Sequence, residues 1–134
     1  MDEDDVTLLL KSEVDVLRAR KEGQRLAREL GMTAIDSVKV ATAVSEIASN
    51  ALFHAREGSV NLRMLCSGNR RGLSVTVADR GPGIADLEQA MRDGFSTRNS
   101  LGIGLGAARR MMDDFEVNTE IGRGTTVTMA KWKD

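Results

Sequence analysis

The spacing of apolar residues changes along the chain, and each change marks a new element. Residues 6–11 (VTLLLK) form a short apolar run that reads as a strand. Ser12-Glu13-Val14-Asp15 then matches a capping box, in which a hydroxyl and a carboxylate satisfy the first free helical N–H groups. In the helix that follows, Val16, Ala19, Gly23, Leu26, Ala27 and Leu30 recur at helical spacing, and Gly31 stands where a left-handed cap ends many helices. Thr33-Ala34-Ile35-Asp36 opens a longer helix to about Arg56, with Val40, Val44, Ile47 and Ala51 on one stripe and Gly58 as its stop. From Ser59 the period falls to two. Val60, Leu62, Met64 and Cys66 alternate with Asn61, Arg63 and Leu65, the polar stretch 68–72 reads as a turn, and Leu73, Val75 and Val77 alternate again, which predicts an antiparallel hairpin. Asp79-Arg80-Gly81-Pro82-Gly83 breaks that strand. A short helix over about 86–92 and a loop through 93–102 lead to a third long helix at about 104–113. The chain closes with Phe115, Val117, Thr119 and Ile121, a Gly122-Arg123-Gly124 turn, and a strand through Thr125, Val127 and Met129.

Each predicted helix has one apolar stripe and each strand one apolar face, so the economical architecture is a two-layer α/β (α+β) sandwich, with a mostly antiparallel mixed sheet and helices on one face. The 134 residues suffice for a single domain, 1–134, against about 100–200 residues per domain. With 41% hydrophobic and 29% charged residues and a formal charge of −1, the chain falls in the globular class, and a strongly basic nucleic-acid binder is disfavoured. Three Phe, one Trp and no Tyr leave little for a base-stacking platform, so no nucleic-acid partner is expected. No apolar run approaches the roughly 20 residues of a membrane span, and the acidic start Met1-Asp2-Glu3-Asp4-Asp5 does not resemble a signal peptide. The single cysteine excludes an intrachain disulfide and a Cys-based zinc site and fits a reducing cytoplasm.

The chemistry gathers at glycines. Gly81-Pro82-Gly83, Gly102-Ile103-Gly104-Leu105-Gly106 and Gly122-Arg123-Gly124 each lie at an element junction. The first and last also suit ordinary turns. The middle one is different, because each glycine costs about 1 kcal/mol in a helix and three alternate ones enter one here. Bare backbone at a helix N-terminus suits a phosphate chain. It is neither a P-loop, since the chain has no Gly-Lys pair, nor a Rossmann fingerprint, since Ala107 occupies the place of the third glycine. Asp93-Gly94-Phe95 has the wrong order for a eukaryotic-type kinase, and no His-Arg-Asp occurs. On the second helix Glu46 and Asn50 are four residues apart, about 40° of rotation, and point the same way among Ala43, Ile47, Ala48, Ala51 and Leu52. Such a pair is either a solvated helix face or a functional one. In the second case the Asn50 oxygen is a hard ligand suited to Mg²⁺ with phosphate and water oxygens, which frees Glu46 to act as a base.

Glu46-Ile47-Ala48-Ser49-Asn50 resembles the N box of the GHKL ATPase/kinase superfamily, which includes gyrase, histidine kinase and MutL relatives. Asp79-Arg80-Gly81-Pro82-Gly83 looks like its first glycine box, Gly102-Ile103-Gly104-Leu105-Gly106 its second and Gly124-Thr125-Thr126 its third. Four motifs in order over residues 46–126 are specific where each alone is weak. Within the superfamily the chain is most similar to the RsbT type of bacterial serine/threonine switch kinase, through residues 93–97, 110–115 and the ending Lys131-Trp132-Lys133. The resemblance implies the Bergerat fold, with ATP and Mg²⁺ as cofactors. It implies that Asp79 accepts a hydrogen bond from the adenine amino group, that Gly81 and Gly83 belong to the loop passing the base, and that Thr125 lies near the adenine. Asn50 would bind Mg²⁺, and Glu46 would take the proton from an attacking hydroxyl. Gly102, Gly104, Leu105 and Gly106 would line the triphosphate, and residues 96–100 would form a lid from which Thr97 and Arg98 reach the nucleotide.

Gyrase and sensor kinases join this module to further domains for which 134 residues leave no room, so the expected substrate is a separate protein. By resemblance it is a STAS-domain antagonist, and its phosphorylation would free the kinase to activate a PP2C-type phosphatase. The alternatives are an anti-sigma factor that phosphorylates its own antagonist and an ATP-gated binding module without phosphotransfer. Other residues read more plainly. His54 lacks a phospho-acceptor helix around it, Cys66 is expected in the core with Val60 and Leu62, Met111 and Met112 read as packing, and Arg70 and Arg71 are expected in solvent at a hairpin tip.

Overall fold

The computed structural model describes residues 5–83 and 104–133. Their order is β1 (Asp5–Leu10), α1 (Glu13–Glu29), α2 (Ala34–Ala55), β2 (Gly58–Ser67), β3 (Arg70–Asp79), α3 (Gly104–Met111), β4 (Asp114–Glu120) and β5 (Gly124–Trp132). The expected helix over 86–92, the loop through 93–102, and with them Thr97, Arg98 and Gly102 lie outside the described residues.

The strands form one sheet in the order β1-β2-β3-β5-β4. Every pairing among the described residues is antiparallel, so the mixed component of the expected sheet is not found there. Register sets out the inward rows directly. Val60, Val77, Val127 and Val117 lie side by side on adjacent strands, and Leu62, Val75, Met129 and Phe115 form the next row. These rows face α1 and α2, while the opposite face carries the polar row Thr7, Asn61, Thr76, Thr128 and Glu116. Alternation alone accounts for this, since successive strand side chains point to opposite faces.

Both long helices begin at caps. The Asp15 carboxylate accepts the N–H groups of Lys11 (2.8 Å) and Ser12 (3.2 Å), and the Thr33 hydroxyl accepts that of Asp36 (3.1 Å). α1 then approaches α2 closely because Gly23 has no side chain: a Cβ there would stand 3.2 Å from Val44 Cγ2 and 3.5 Å from Leu62 Cδ2. The stop of α2 differs from the expectation. Arg56 itself takes the left-handed cap conformation (φ 66°), and Gly58 begins β2, where a Cβ would meet the Ala78 carbonyl at 2.5 Å.

Two further expectations are corrected at the β2–β3 end. The turn contracts from 68–72 to Gly68 and Asn69, with Gly68 at φ 62° as the first position of a II′ hairpin turn requires. Cys66 is exposed, not core, because its partner is Arg71 and this hairpin tip runs beyond the buried Leu73 row. Arg70 is exposed but not idle, since its guanidinium lies 4.6 Å from the centroid of the Trp132 ring.

Lys131 is the buried charge of the described fold, 8% exposed on the inward side of β5. Its ammonium donates to the Met111 carbonyl at the end of α3 (3.0 Å) and lies 3.6 Å from Asp113 and 3.9 Å from Asp36 in the first turn of α2. Ser37 is fully buried and its hydroxyl has no hydrogen-bond partner among the described residues. The two should respond with opposite signs to removal of the polar group. Lys131→Met is expected to lower the unfolding free energy by about 1–3 kcal/mol, because it strands a helix-terminal carbonyl, while Ser37→Ala is expected to be neutral or stabilising. Urea unfolding of both variants beside the parent chain measures this.

Candidate active site

One end of the inward face departs from the apolar rule. Beyond the valine row the register brings Leu10, Gly58, Asp79, Thr125 and Thr119 into line across the five strands. Asp79 and Thr125 are direct partners, as are Thr119 and Thr125, so a carboxylate and two hydroxyls stand together on the helix side of the sheet. The Thr119 and Thr125 hydroxyl oxygens are 2.9 Å apart.

Asp79 is held by its own turn and by its neighbour strand. Its Oδ1 accepts the backbone N–H of Gly81 (2.9 Å) and of Thr125 (3.2 Å). Among the described residues no hydrogen bond falls on Oδ2. One carboxylate oxygen therefore fixes the orientation and the other is left as an acceptor for a ligand donor, which suits an exocyclic amino group.

The glycines around Asp79 pack against protein. A Cβ on Gly124 (φ 122°) would stand 2.1 Å from the Asp79 carbonyl oxygen, and one on Gly83 (φ 83°) 2.6 Å from that of Glu120. A Cβ on Gly81 would stand 2.8 Å from the Cβ of Ala55 at the end of α2. Gly122 donates its N–H to the Pro82 carbonyl at 2.9 Å. The segment 79–83, the β4–β5 turn and the end of α2 are thus interlocked by close packing around the aspartate.

Glu46 and Asn50 lie on α2, both half-buried and one turn apart, beside the buried Ile47, Ala48 and Ala51. α3 packs along α2. Gly104 and Gly106 fall in the first turn of α3, where backbone N–H groups have no intrahelical acceptor, and Leu105, 7% exposed, anchors that turn in the core. A carboxylate, an amide oxygen and a glycine-bearing helix start are therefore carried by two helices in contact, and Ala55 ties α2 to the Asp79 loop. This donor set fits a nucleotide with Mg²⁺: Oδ2 of Asp79 for a base amino group, helical N–H groups for phosphate and the Asn50 oxygen for a hard cation. His54 is exposed on the same helix, its ring edge-on to Phe53 at 5.0 Å.

Thr119 is the site residue that motif reading passes over. It was legible in the spacing, because a hairpin turning at Gly122 brings it opposite Thr125, with which it shares the inward face.

Known proteins resemble the chain over most of its length. A family model described as the histidine kinase-like ATPase domain matches residues 10–131. The chain is 37% identical over 123 residues to the serine/threonine-protein kinase RsbT of Bacillus subtilis (strain 168), covering 92% of each chain. It is 34% identical over 120 residues to the anti-sigma F factor of Thermoanaerobacter sp. (strain X514), covering 85% of this chain and 82% of that one. Among solved structures, that of the RsbU and RsbW domains of Rv1364c from Mycobacterium tuberculosis superposes with a TM-score of 0.66 at 18% identity, over 97% of this chain and 33% of that longer one. The mycobacterial sensor histidine kinase MprB gives 0.58 at 17% identity, over 96% of each chain. At these identities the two structures speak for the fold.

The interlock has a measurable consequence. Gly124→Ala is expected to cost on the order of 3 kcal/mol or more, since the added carbon collides with main chain that cannot yield. Gly122→Ala shares a positive φ (81°) but meets nothing within 4 Å. It is expected to cost only the left-handed strain of about 1–2 kcal/mol. Denaturant unfolding of the pair separates collision from strain.

Proposed function

The chain belongs to the histidine kinase-like ATPase family, and we propose that it is a serine/threonine protein kinase of the RsbT type, using ATP and Mg²⁺ to phosphorylate a separate STAS-domain antagonist protein. On this reading it then activates a PP2C-type phosphatase in a partner-switching pathway, and it works in the cytoplasm. The observation that carries the proposal is its likeness, over nearly the whole chain, to a protein named as such a kinase. The candidate site supports it by holding an acid side chain, an amide ligand and a glycine-bearing helix start together.

The roles assigned follow from the donor set. ATP with Mg²⁺ supplies the phosphoryl group. Asp79 accepts the base amino group on Oδ2, and the backbone of Gly104 and Gly106, with Gly102 ahead of them in sequence, lines the phosphates. Gly81, Gly83 and Thr125 complete the base wall. The Asn50 amide oxygen ligates Mg²⁺. Phosphate and water oxygens would complete with this amide the hard-oxygen set that Mg²⁺ takes. Glu46 takes the proton from the partner's serine or threonine hydroxyl as its oxygen attacks, a contribution of about 10²–10⁴-fold for a positioned base. Thr97 and Arg98 of the proposed lid reach the nucleotide from segment 96–100, and Leu105 seats the first turn of α3 under the phosphates.

A second reading is favoured by the anti-sigma F factor relative: a chain that also holds a sigma factor and phosphorylates its own antagonist. Both readings need the same chemistry. An ATP-gated binding module would need none.

Glu46→Ala is expected to keep ATP binding and lose phosphotransfer by about 10²–10⁴-fold, while Asn50→Ala weakens the Mg²⁺-dependent part of ATP affinity. Calorimetric titration with and without Mg²⁺, with intact-mass analysis of a STAS-domain protein, checks both. Nucleotide binding with no phosphate ever added to a partner by the parent chain would leave the binding module standing instead.

A further inference from the structure

We propose that the free edge of β1 is an interface between two copies of this chain, whose β1 strands pair antiparallel about a two-fold axis and join the two sheets into one. β1 and β4 end the sheet, and among the described residues no further strand lies beyond either. A free edge offers unpaired N–H and C=O groups to another strand, and charged side chains are the usual guard against that. β4 is guarded: Asp114, Glu116 and Glu120 share one face, and a second β4 laid antiparallel along its full length would set Asp114 against Glu120 at both ends. β1 carries no such guard, for it runs DVTLLL, one acid followed by apolar residues and a threonine, with Lys11 immediately beyond its end. Leu9, Val14 and Leu17 are 62%, 58% and 50% exposed, so open apolar surface gathers on β1 and the first two turns of α1.

Charge and alternation together choose the register. A two-fold axis between antiparallel strands puts the helices of both copies on the same side of the joined sheet, so residues directly opposite each other share a face. Asp5, Thr7 and Leu9 alternate with Val6, Leu8 and Leu10, and the second set faces inward, where Leu10 is fully buried and Leu8 packs against the core. With Leu8 opposite Leu8 at the axis, Asp5 of each copy stands opposite Lys11 of the other, Thr7 opposite Leu9 and Val6 opposite Leu10. Both ends of the strand pair then match opposite charges, the inner side is wholly apolar, and the open Leu9 is covered. Centring the pair on Thr7 or on Leu9 separates Asp5 from Lys11 and forfeits that match. The Asp5 carboxylate is already held on the outer face, since its Oδ1 accepts from the Asn61 amide at 2.6 Å. The contact is isologous and closes on itself, so it yields a dimer and not a fibre.

An interface built on one six-residue strand edge is small beside the roughly 1,200–2,000 Å² of a stable complex, so a dissociation constant on the order of 10 µM is expected for the parent chain. Sedimentation equilibrium of the whole chain without nucleotide measures it. Asp5→Lys and Lys11→Glu each place like charges opposite one another at both ends of the strand pair, and each alone is expected to weaken association by about 10-fold. Mixed in equal amounts the two variants are expected to regain the parent's association, because every end contact is again between opposite charges. The double variant Asp5→Lys/Lys11→Glu is expected to regain it by itself. Recovery in the mixture also shows that neither single variant lost association by failing to fold. A parent chain that stays monomeric well above that concentration, association unmoved by either reversal, or a mixture that associates no better than its components overturns the proposal.

Discussion

The carboxylate of Asp79 is gripped through one oxygen by two backbone N–H groups, one from its own turn and one from the strand alongside. That grip depends on the absence of a side chain at Gly124, whose Cα would otherwise push an extra carbon into the Asp79 carbonyl. The same closeness draws the β4–β5 turn onto the loop after β3, where Gly122 bonds Pro82 and Gly83 fits against Glu120. The packing that terminates the sheet and the orientation of the acceptor proposed to face a ligand are therefore one set of contacts. An aspartate held in this way does not swing, so recognition at its second oxygen costs little side-chain entropy.

The other half of the site depends on α2 being placed without play. At one end Ala55 abuts Gly81, and at the other Asp36 lies toward the buried ammonium of Lys131, which also binds the last carbonyl of α3. Between them Gly23 of α1 lets Val40 and Val44 sit close, and Val40, Val44, Ile47 and Ala51 are buried in succession. A helix held at both ends and along one stripe has no freedom to rotate about its axis. Glu46 and Asn50 are consequently carried to a defined edge of the stripe, half in and half out, alongside the helix whose first turn holds Gly104 and Gly106.

What could be read from the residues and what could not divides by distance along the chain. The stripe of α2, the alternation of β2 and β3 and the cap at Thr33 are local patterns, and they appear where periodicity puts them. Cys66 was misplaced because alternation says which face a residue takes but not how far the helix layer extends over that face. Arg70 and Arg71 look like loop residues and lengthen the expected β2–β3 turn, whereas their backbone pairs with Ser67 and Cys66. Gly124 and Asp79 are 45 residues apart, so no inspection of either motif alone could reveal that the glycine exists for the aspartate's main chain. Lys131 is buried because α2, the end of α3 and the link after it all bring acceptors to it, a convergence that no local pattern carries.

On the proposed reading, base recognition and chemistry are carried by different parts of the fold. The Asp79 carboxylate proposed to take the base belongs to the sheet and is fixed by main-chain contacts at the β4–β5 turn. Glu46 and Asn50, proposed as proton acceptor and metal ligand, belong to α2, fixed by side-chain packing and by the helix ends. A change on the sheet side can alter which nucleotide enters without touching Glu46, and a change at Glu46 can end proton transfer without loosening the wall.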